Sequence, residues 1–475
     1  MTTLNCFFHL IMTFMLYSSL SLVLFSYIPV KILALESHFE TVETAADQIY
    51  KRPSTDLKKK PKSTSLPLFH RDGPINMPSP QDVLHRDRLR VQSIKTRFKL
   101  ESKTNKFNSA GFQDTNKAVA YLPVQSCPNN YFVSISLGTP KQELTFSFDT
   151  GSDITWTRCI HDPSTISGTN VEFKPKASDS FSIIPDNSDI CNELHKGEKH
   201  NNTENTCYFD IEYYDGPNTH GYFSKDTLTI TQTDDVFPEF YFGCAMQTAA
   251  SDAAGVLGLG RGSDVSFMTQ TEQKYSGVFS YCLPPSRKST GFLKLGQIDY
   301  PRNVKIFTPF IANSRYSPFY FIDIISINVS DVQLPISASD LNNPGTIIDS
   351  GTEFTRLPMN VYTKMRDEFK KNMEIFGYEL LPNAHDLLDT CYNTSLIEEP
   401  VAPNIYVTFK NDVTIDLDSY ATLYEINETI TCLAFAGNSD IDDRLAIFGI
   451  NQQKKLEIVY DVDRGRLGFI PDRCE

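Results

Sequence analysis

Apolar and polar residues alternate over short stretches along much of the chain. The run 319–327, Phe-Tyr-Phe-Ile-Asp-Ile-Ile-Ser-Ile, is a clear example, and this pattern is typical of half-buried β-strands. One stretch has a helical period instead. Val361, Met365 and Phe369 are spaced four residues apart after a Leu-Pro break, which predicts a helix over about 360–373. We therefore expect a fold built mainly of β-strands.

Two apolar strands, 200 residues apart, lead into nearly the same tetrapeptide. The strand Leu144–Phe148 runs into Asp149–Ser152, Asp-Thr-Gly-Ser, and the strand Thr346–Ile348 runs into Asp349–Thr352, Asp-Ser-Gly-Thr. One such tetrapeptide alone is most simply an Asp-Gly-type turn between strands. Two copies after matching strands argue against that simple interpretation.

A second feature repeats downstream of each aspartate. The short apolar run Gly255–Gly260 follows the first aspartate, and Leu445–Ile450 follows the second. Each run by itself reads as an ordinary core strand. Their parallel placement predicts a duplicated architecture, with one aspartate loop in each half.

Two opposed aspartate loops would support a specific chemistry. Carboxylates a few ångströms apart cannot both ionise cheaply, so the pair shares one proton over a wide acidic range. The ionised carboxylate then draws a proton from a bound water, and the protonated one donates to the scissile carbonyl of an amide. Gly151 and Gly351 allow the backbone to approach the carboxylates, and the hydroxyls of Ser152 and Thr352 are placed to brace them.

The charge changes sign along the chain. Residues 1–117 hold 17 of the 44 Lys and Arg but only 10 of the 58 Asp and Glu, so the remainder carries 27 basic against 48 acidic residues, a net charge of −21. The basic stretch 36–118 is either a solvated linker or a propeptide held to an acidic cleft by charge. Nucleic acid is not an expected partner, because the acidic body would repel phosphate.

The apolar run 6–35 contains no acidic residue and predicts a secretory signal peptide over 1–35. An uncleaved membrane anchor is the alternative, since the run is long enough to span a bilayer. We expect no stable anchor. Four glycosylation sequons lie downstream and fit a secreted chain. They are at Asn201, Asn328, Asn393 and Asn427.

Cysteine usage also indicates secretion. Cys6 lies in the apolar run, and the other nine cysteines are scattered singly, which predicts disulfides rather than a metal site. Nine is an odd number, so at least one thiol is left without an intramolecular partner. No Cys-x-x-Cys or His-x-x-x-His spacing and no glycine-rich phosphate loop is present, and we expect neither a metal nor an organic cofactor.

Taken together, these motifs resemble the pepsin family of aspartic proteases, most closely its plant nepenthesin-like branch. The resemblance extends from about Tyr131 to Cys474. It implies a predominantly all-β, bilobal fold with pseudo-two-fold symmetry and a flap hairpin, with an N-terminal lobe over 119–305 and a C-terminal lobe over 306–475. The segments that carry it are Tyr131–Pro140, Asp149–Cys159, Phe448–Gln453, Val459–Asp461 and Gly465–Phe469.

The resemblance assigns the catalytic dyad to Asp149 and Asp349. It places Tyr213 at the flap tyrosine and Trp156 at the residue that donates a hydrogen bond to that tyrosine. The expected substrate-binding residues are thus Tyr213, Trp156, Gly151, Ser152, Gly351, Thr352 and Glu353.

The chain departs from the family pattern in two places, the flap tip and the residue after the second aspartate loop. The flap tip has Tyr214 and Pro217 where the family usually has glycine and serine, which predicts a stiffer flap. Glu353 stands where the family usually has Thr or Ser. Facing the cleft, it would add a negative charge near the dyad, and the alternative is that it points to solvent.

Two further expectations follow from the resemblance. One is a disulfide between Cys391 and Cys432. The other concerns the leader, whose segments Phe69–Asp72 and Arg86–Arg90 are similar to leader segments of the plant family. This favours a propeptide over a linker.

We therefore expect a monomeric, secreted aspartic endopeptidase that hydrolyses protein or peptide substrates at acid pH. It is made as a zymogen with its own propeptide as a partner. Its expected location is the cell wall or apoplast, with the vacuole as an alternative. The competing hypothesis is a catalytically silent inhibitor or binding protein of the same fold, which the altered flap tip and Glu353 keep open.

Overall fold

β-Strands are the predominant secondary structure of the described chain, as the alternating pattern predicted. In this computed structural model the described residues are 63–70, 79–107, 131–160, 172–195, 205–211, 219–247, 253–283, 290–300, 305–311, 319–341, 344–382, 384–438 and 444–474.

The leader and the first half of the body supply eleven strands among these residues. They are β1 (Ser63–His70), β2 (Tyr131–Leu137), β3 (Gln142–Asp149), β4 (Trp156–Arg158), β5 (Ser182–Ile183), β6 (Tyr208–Ile211), β7 (Thr219–Ile230), β8 (Asp235–Gln247), β9 (Gly255–Gly258), β10 (Val278–Cys282) and β11 (Gly291–Gly296).

The second half supplies the remaining described strands. They are β12 (Phe307–Pro309), β13 (Tyr320–Ile322), β14 (Ile324–Val329), β15 (Val332–Gln333), β16 (Thr346–Ile348), β17 (Thr355–Leu357), β18 (Glu379–Leu381), β19 (Cys391–Asn393), β20 (Ile405–Phe409), β21 (Val413–Leu417), β22 (Leu423–Asn427), β23 (Ile430–Leu433), β24 (Phe435–Gly437), β25 (Ala446–Phe448), β26 (Glu457–Asp461) and β27 (Arg466–Ile470).

The strands form one large sheet and three small ones. The large sheet has 14 strands in the order β12-β27-β26-β10-β11-β1-β2-β3-β9-β4-β8-β7-β5, with β6 paired to β7. The small sheets have the orders β13-β16-β25-β17-β24, β15-β14-β20-β21 and β18-β19-β23-β22. The large sheet therefore joins strands from the leader, the first half and the end of the chain.

Helices are few in the described part. They are α1 (Pro80–Phe107), α2 (Asp189–Leu194), α3 (Phe267–Gln270), α4 (Glu272–Tyr275), α5 (Ala338–Leu341), α6 (Met359–Ile375) and α7 (Ser419–Thr422), with 3-10 turns at Pro175–Ala177 and Ile450–Gln452. The predicted helix over 360–373 is confirmed as α6, whose Val361, Met365 and Phe369 are buried. No described helix has the length and apolar character that a membrane crossing needs.

Equivalent strand pairs hold the two aspartate loops. In the first half, β3 runs parallel to β9, and Asp149 lies opposite Gly258. In the second half, β16 runs parallel to β25, and Ile348 lies opposite Phe448. Since each loop starts where a buried apolar strand ends beside its parallel partner, the sheets fix both aspartates on rigid backbone.

Part of the basic leader packs into the body. Strand β1 lies between β11 and β2, with Leu66 and Leu68 fully buried. Helix α1 buries Val83 and Leu84 against a cluster that includes Phe354. Further along, the same helix packs against β13, β16 and β25 through a cluster that includes Val91, Ile94, Phe319, Phe321, Ile347 and Ile447. The sequence analysis missed this helix.

Four disulfides lie among the described residues. The structure joins Cys391 to Cys432, the pair that the resemblance implied. The other three bridges were not predicted, and they are Cys159–Cys244, Cys191–Cys207 and Cys282–Cys474. Cys127, the ninth cysteine outside the apolar run, lies outside the described residues.

Candidate active site

The two aspartate loops face each other and are tied together by reciprocal hydrogen bonds. The backbone N–H of Thr150 donates to Ser350 Oγ at 3.1 Å, and the N–H of Ser350 donates to Thr150 Oγ1 at 3.1 Å. The two hydroxyl oxygens lie 3.3 Å apart. Because each loop satisfies a buried N–H of the other, the loops are held in one mutual position.

The carboxylate of Asp149 is fully buried and held within its own loop. Ser152 Oγ donates to its Oδ2 at 2.6 Å, and the N–H of Gly151 donates to its Oδ1 at 2.9 Å. A Cβ at residue 151 would clash with the guanidinium of Arg90 and lie 3.0 Å from Asp349 Oδ1. Glycine is therefore required here for close approach, as its position in the tetrapeptide indicated.

The carboxylate of Asp349 has a matching environment. It is fully buried, and Thr352 Oγ1 donates to its Oδ2 at 2.5 Å. Gly351 is buried in the same loop. The structure thus places Asp149, Asp349, Ser152 and Thr352 in the pattern that the sequence indicated, with a hydroxyl braced against each carboxylate.

Between the carboxylates lies Arg90, from the leader helix α1. Its NH2 lies 2.8 Å from Asp149 Oδ1 and 2.7 Å from Asp349 Oδ1. Its NH1 donates to Asp149 Oδ2 at 2.9 Å and its Nε to Asp349 Oδ2 at 3.0 Å. One guanidinium therefore engages both oxygens of both carboxylates, a geometry that its planar fork of donors suits.

The charge on Arg90 is stabilised by these contacts. Its side chain is 3% exposed. Burial alone lowers the pKa of Arg90, but the charges and hydrogen bonds of Asp149 and Asp349 outweigh it and raise that pKa above its usual value. Arg90 thus stays cationic and occupies the space between the carboxylates.

One helical turn before Arg90, Asp87 makes a second buried contact with the body. Its Oδ1 accepts from the backbone N–H of Glu353 at 2.8 Å and of Phe354 at 3.1 Å. Its Oδ2 pairs with Arg356 on β17. Asp87 and Arg356 are 0% and 4% exposed. The leader helix is therefore fixed by an arginine on the dyad and an aspartate beside it.

Glu353 does not point to solvent. Its side chain is 8% exposed, and its Oε1 lies 3.6 Å from Lys454 Nζ. The ammonium of Lys454 offsets the negative charge that Glu353 brings close to the dyad.

The flap tyrosine lies outside the described residues, as do Tyr214 and Pro217. Strands β6 and β7 pair antiparallel on either side of 212–218, and Ile211 packs with Trp156 in one buried cluster. The Nε1 of Trp156 is buried and has no hydrogen-bond partner among the described residues. The roles assigned to Tyr213 and Trp156 stay predictions.

The remaining sequence candidates are the glycosylation sequons. Of the sequons, Asn427 is exposed, Asn328 and Asn393 are half-buried, and Asn201 lies outside the described residues. One group of potential metal ligands occurs in the described part, Cys191, His195 and Cys207. Its two sulfurs form a disulfide, so the group offers no thiolate.

Arg90, Asp87 and Arg356 were not identified as site residues from the sequence. A signal was available in the leader. Around Arg90, buried residues recur three to four apart on one face of α1, and this face carries two charges among its apolar side chains. Charges on the buried face of a helix require buried partners, which would have pointed to the dyad.

Two family models match the chain in succession. Residues 131–297 match a model described as xylanase inhibitor N-terminal, and residues 319–471 match one described as xylanase inhibitor C-terminal. Together the models span both aspartate loops.

Curated relatives include named proteases from plants. An aspartyl protease family protein of Arabidopsis thaliana is 35% identical over 428 residues, covering 86% of this chain and 87% of its own length. Aspartyl protease AED1 of the same plant is 37% identical over 400 residues, covering 83% of this chain and 82% of its own length. Aspartic proteinase nepenthesin-2 of Nepenthes gracilis is 30% identical over 364 residues, covering 74% of this chain and 80% of its own length.

Solved structures share the fold at lower identity. Those titled edgp and conglutin gamma, a basic 7S globulin from lupine seeds, each align with a TM-score of 0.57 at 20% identity, covering 72% of this chain and 91% of the other. The mostly β fold and the opposed aspartate loops define the pepsin-like class. Within it, the chain belongs to the plant aspartyl protease family. The two halves of the chain match the two xylanase-inhibitor models.

Proposed function

We propose that this protein is a secreted aspartic endopeptidase made as a zymogen. The observation that carries the proposal is the pair of opposed, buried carboxylates of Asp149 and Asp349, each braced by a hydroxyl. Carboxylates that differ only in which one holds the shared proton provide a general base and a general acid at once.

In the proposed mechanism the leader first leaves the cleft. A water then binds between the carboxylates, in the space that Arg90 occupies. The ionised carboxylate takes a proton from this water, which attacks the peptide carbonyl, while the protonated carboxylate donates to the carbonyl oxygen. The resulting tetrahedral diol collapses as the leaving nitrogen gains a proton from the dyad. No covalent enzyme intermediate forms.

The zymogen part of the proposal rests on α1. Arg90 binds both carboxylates and so prevents water and substrate from reaching them. In this proposal the leader is released on acidification. The sequence predicted a diffuse attraction between the basic leader and the acidic body. In this proposal the leader is held instead by one buried contact, between Arg90 and the two carboxylates.

Secretion is proposed on indirect support. Four disulfides favour an oxidising compartment, and the sequons and apolar run 6–35 fit that route. Cell wall or apoplast is the proposed location, and a monomer is the proposed state.

A second candidate is an inhibitor or binding protein without proteolytic activity. Two observations favour it, the description of the matching family models as xylanase inhibitor and the structural likeness to seed globulins. In this candidate the cleft stays closed by the leader or binds a partner without hydrolysis.

One experiment separates these candidates. The full chain is expressed through a secretory pathway, acidified, and incubated with an unfolded protein at pH values from about 3 to 8. Hydrolysis at acid pH, blocked by a statine-type peptide and lost in Asp149→Asn, supports the protease. An acid-treated protein that has shed its leader and still cleaves nothing contradicts it.

A further inference from the structure

The buried contact of Asp87 lies on the body beside the dyad. Asp87 is a leader residue, so it leaves when the leader leaves. Its three partners belong to the body, namely the guanidinium of Arg356 and the backbone N–H groups of Glu353 and Phe354. All three donate to the same carboxylate.

With the leader bound, these donors form a site for a carboxylate. Arg356 is 4% exposed, and its Nε has no hydrogen-bond partner among the described residues even with Asp87 in place. A guanidinium at such a site, left without an anion, carries a desolvation cost that another carboxylate relieves. The two backbone N–H groups add fixed donors that a neutral side chain satisfies less well.

The acidic body residue next to this site has a cationic partner of its own. Glu353 is the acidic body residue closest to it in sequence, and its carboxylate lies 3.6 Å from Lys454. Because the charges of Glu353 and Lys454 offset each other, the charge of Arg356 is balanced by Asp87 in the leader-bound state.

We propose that Arg356, with the N–H groups of Glu353 and Phe354, forms a substrate subsite that selects an acidic side chain near the scissile bond. This inference rests on the proposed protease function and names its substrate class, peptides carrying Asp or Glu at one defined position. In the leader, Asp87 occupies this subsite while Arg90 occupies the dyad.

The subsite lies close to the reacting bond. Arg90 lies three positions after Asp87 on the helix, which is about 4.5 Å along the helix axis. An extended substrate rises about 3.3 Å per residue, so the acidic side chain falls within about three residues of the scissile bond. The test therefore scans three positions on each side.

The first measurement uses the acid-activated wild-type protein at about pH 5. Peptides carry a single Glu or Gln at each scanned position, and kcat/KM is compared within each pair. At one position we expect Glu to be preferred by roughly tenfold or more, the range for hydrogen bonds to a charged group. Equal cleavage of Glu and Gln peptides at every position would overturn the proposal.

The variant is Arg356→Gln, made together with Asp87→Asn so that the zymogen does not bury a carboxylate without its guanidinium. Asp87→Asn alone is the matched control, because its mature enzyme is identical to the wild type. We expect the control to keep the preference. The double variant should reduce the preference for Glu over Gln to less than about twofold.

A merely structural Arg356 would instead lower kcat/KM for Glu and Gln peptides alike, and that result contradicts the subsite. Binding of the same peptides with a reduced, uncleavable scissile amide is measured in parallel. If the Glu peptides bind more tightly than the Gln peptides but no peptide is cleaved, the result supports the subsite and contradicts the proposed protease function. Binding without preference would reject the subsite even in an active enzyme.

Discussion

The two aspartate loops are alike in the parts that hold the dyad and different in the parts that follow. Both place a buried carboxylate at the end of an apolar strand, brace it with a hydroxyl and donate a backbone N–H to the other loop. After the tetrapeptide they diverge. Asp153 accepts from the N–H of Gly262 at 2.7 Å, whereas Glu353 pairs with Lys454.

The leader uses this difference. It contacts Asp149 and Asp349 symmetrically through Arg90, yet Asp87 contacts only donors of the second half, and Val83 and Leu84 pack beside Phe354. The comparison teaches that the duplicated elements position the two carboxylates, while residues that differ between the halves contact Asp87, Val83 and Leu84 of the leader.

The strongest test of the symmetry is to neutralise each aspartate in turn. Asp149→Asn and Asp349→Asn should each lower kcat of the activated enzyme at least ~1000-fold, because each removes half of a unit that shares one proton. Hydrolysis of an unfolded protein measures the effect, and circular dichroism checks the fold. A tenth of wild-type activity in either variant would contradict the dyad.

The leader contact is tested in the full-length zymogen. Arg90→Gln should let a statine-type peptide bind about 100-fold more tightly, since losing one partner of a buried charge network costs about 2–5 kcal/mol and the leader then competes poorly. Calorimetric titration near pH 7 measures the binding. Because the contact is buried, raising the salt concentration should change the wild-type affinity little.

Arg88→Gln is the matched control on the same helix. Arg88 is 46% exposed and lies 4.0 Å from the exposed Asp386, so its loss should change the affinity less than about threefold. An equal effect of the two substitutions would mean that the leader is held by its overall charge and not by the dyad contact.

The reciprocal bonds between the loops should contribute to stability. Thr150→Ala and Ser350→Ala each leave a buried N–H without its acceptor, which costs about 1–3 kcal/mol. Since the two hydroxyls also contact each other, the double variant should cost less than the two single losses together. Urea unfolding measures this. Strict additivity would indicate that the loops are held independently.

The smallest expected effect concerns His385, beside the leader. Burial, and next the charge of Arg88, lowers the pKa of His385 from 6.5. The part of this shift that depends on the leader is the charge of Arg88, which disfavours the protonated imidazole, so through this contact leader binding weakens as pH falls through this range. In that state the Nδ1 accepts from the N–H of Leu387 at 3.1 Å, which protonation prevents.

His385→Gln should reduce the pH dependence of statine-peptide binding by a few-fold between about pH 7 and 5. The affinity of each zymogen is measured at both pH values. If the affinity of the variant changes with pH as much as that of the wild type, groups other than His385 govern the response to acid.

The sequence predicted the fold and the dyad because their signals are local and repeated. A strand, an aspartate and a glycine adjacent in the chain remain adjacent in space, and the second copy argued against an ordinary turn at the first. The helix α6 was predictable for the same reason, since its buried residues follow one period.

The leader contacts were not predictable in this way. Arg90 meets Asp149 and Asp349 from 59 and 259 residues away, and only tertiary structure brings them together. Its positive charge also interrupts the apolar period of α1, so the basic stretch 36–118 was interpreted as a linker or as a propeptide held by overall charge, and its helix was missed. The buried Asp87 was obscured similarly, because its partner Arg356 lies on a short strand with no charged pattern.

The place of β1 inside the large sheet has a consequence for biosynthesis. Leu66 pairs opposite Leu293, so this strand waits on the ribosome-bound chain until β11 has emerged. Such long sequence separation slows folding, because loop closure precedes the gain from pairing. A body produced without residues 63–107 would have to assemble its sheet with both β2 and β11 lacking the neighbour that separates them. The leader is therefore part of the large sheet as well as of the contact at the two aspartates.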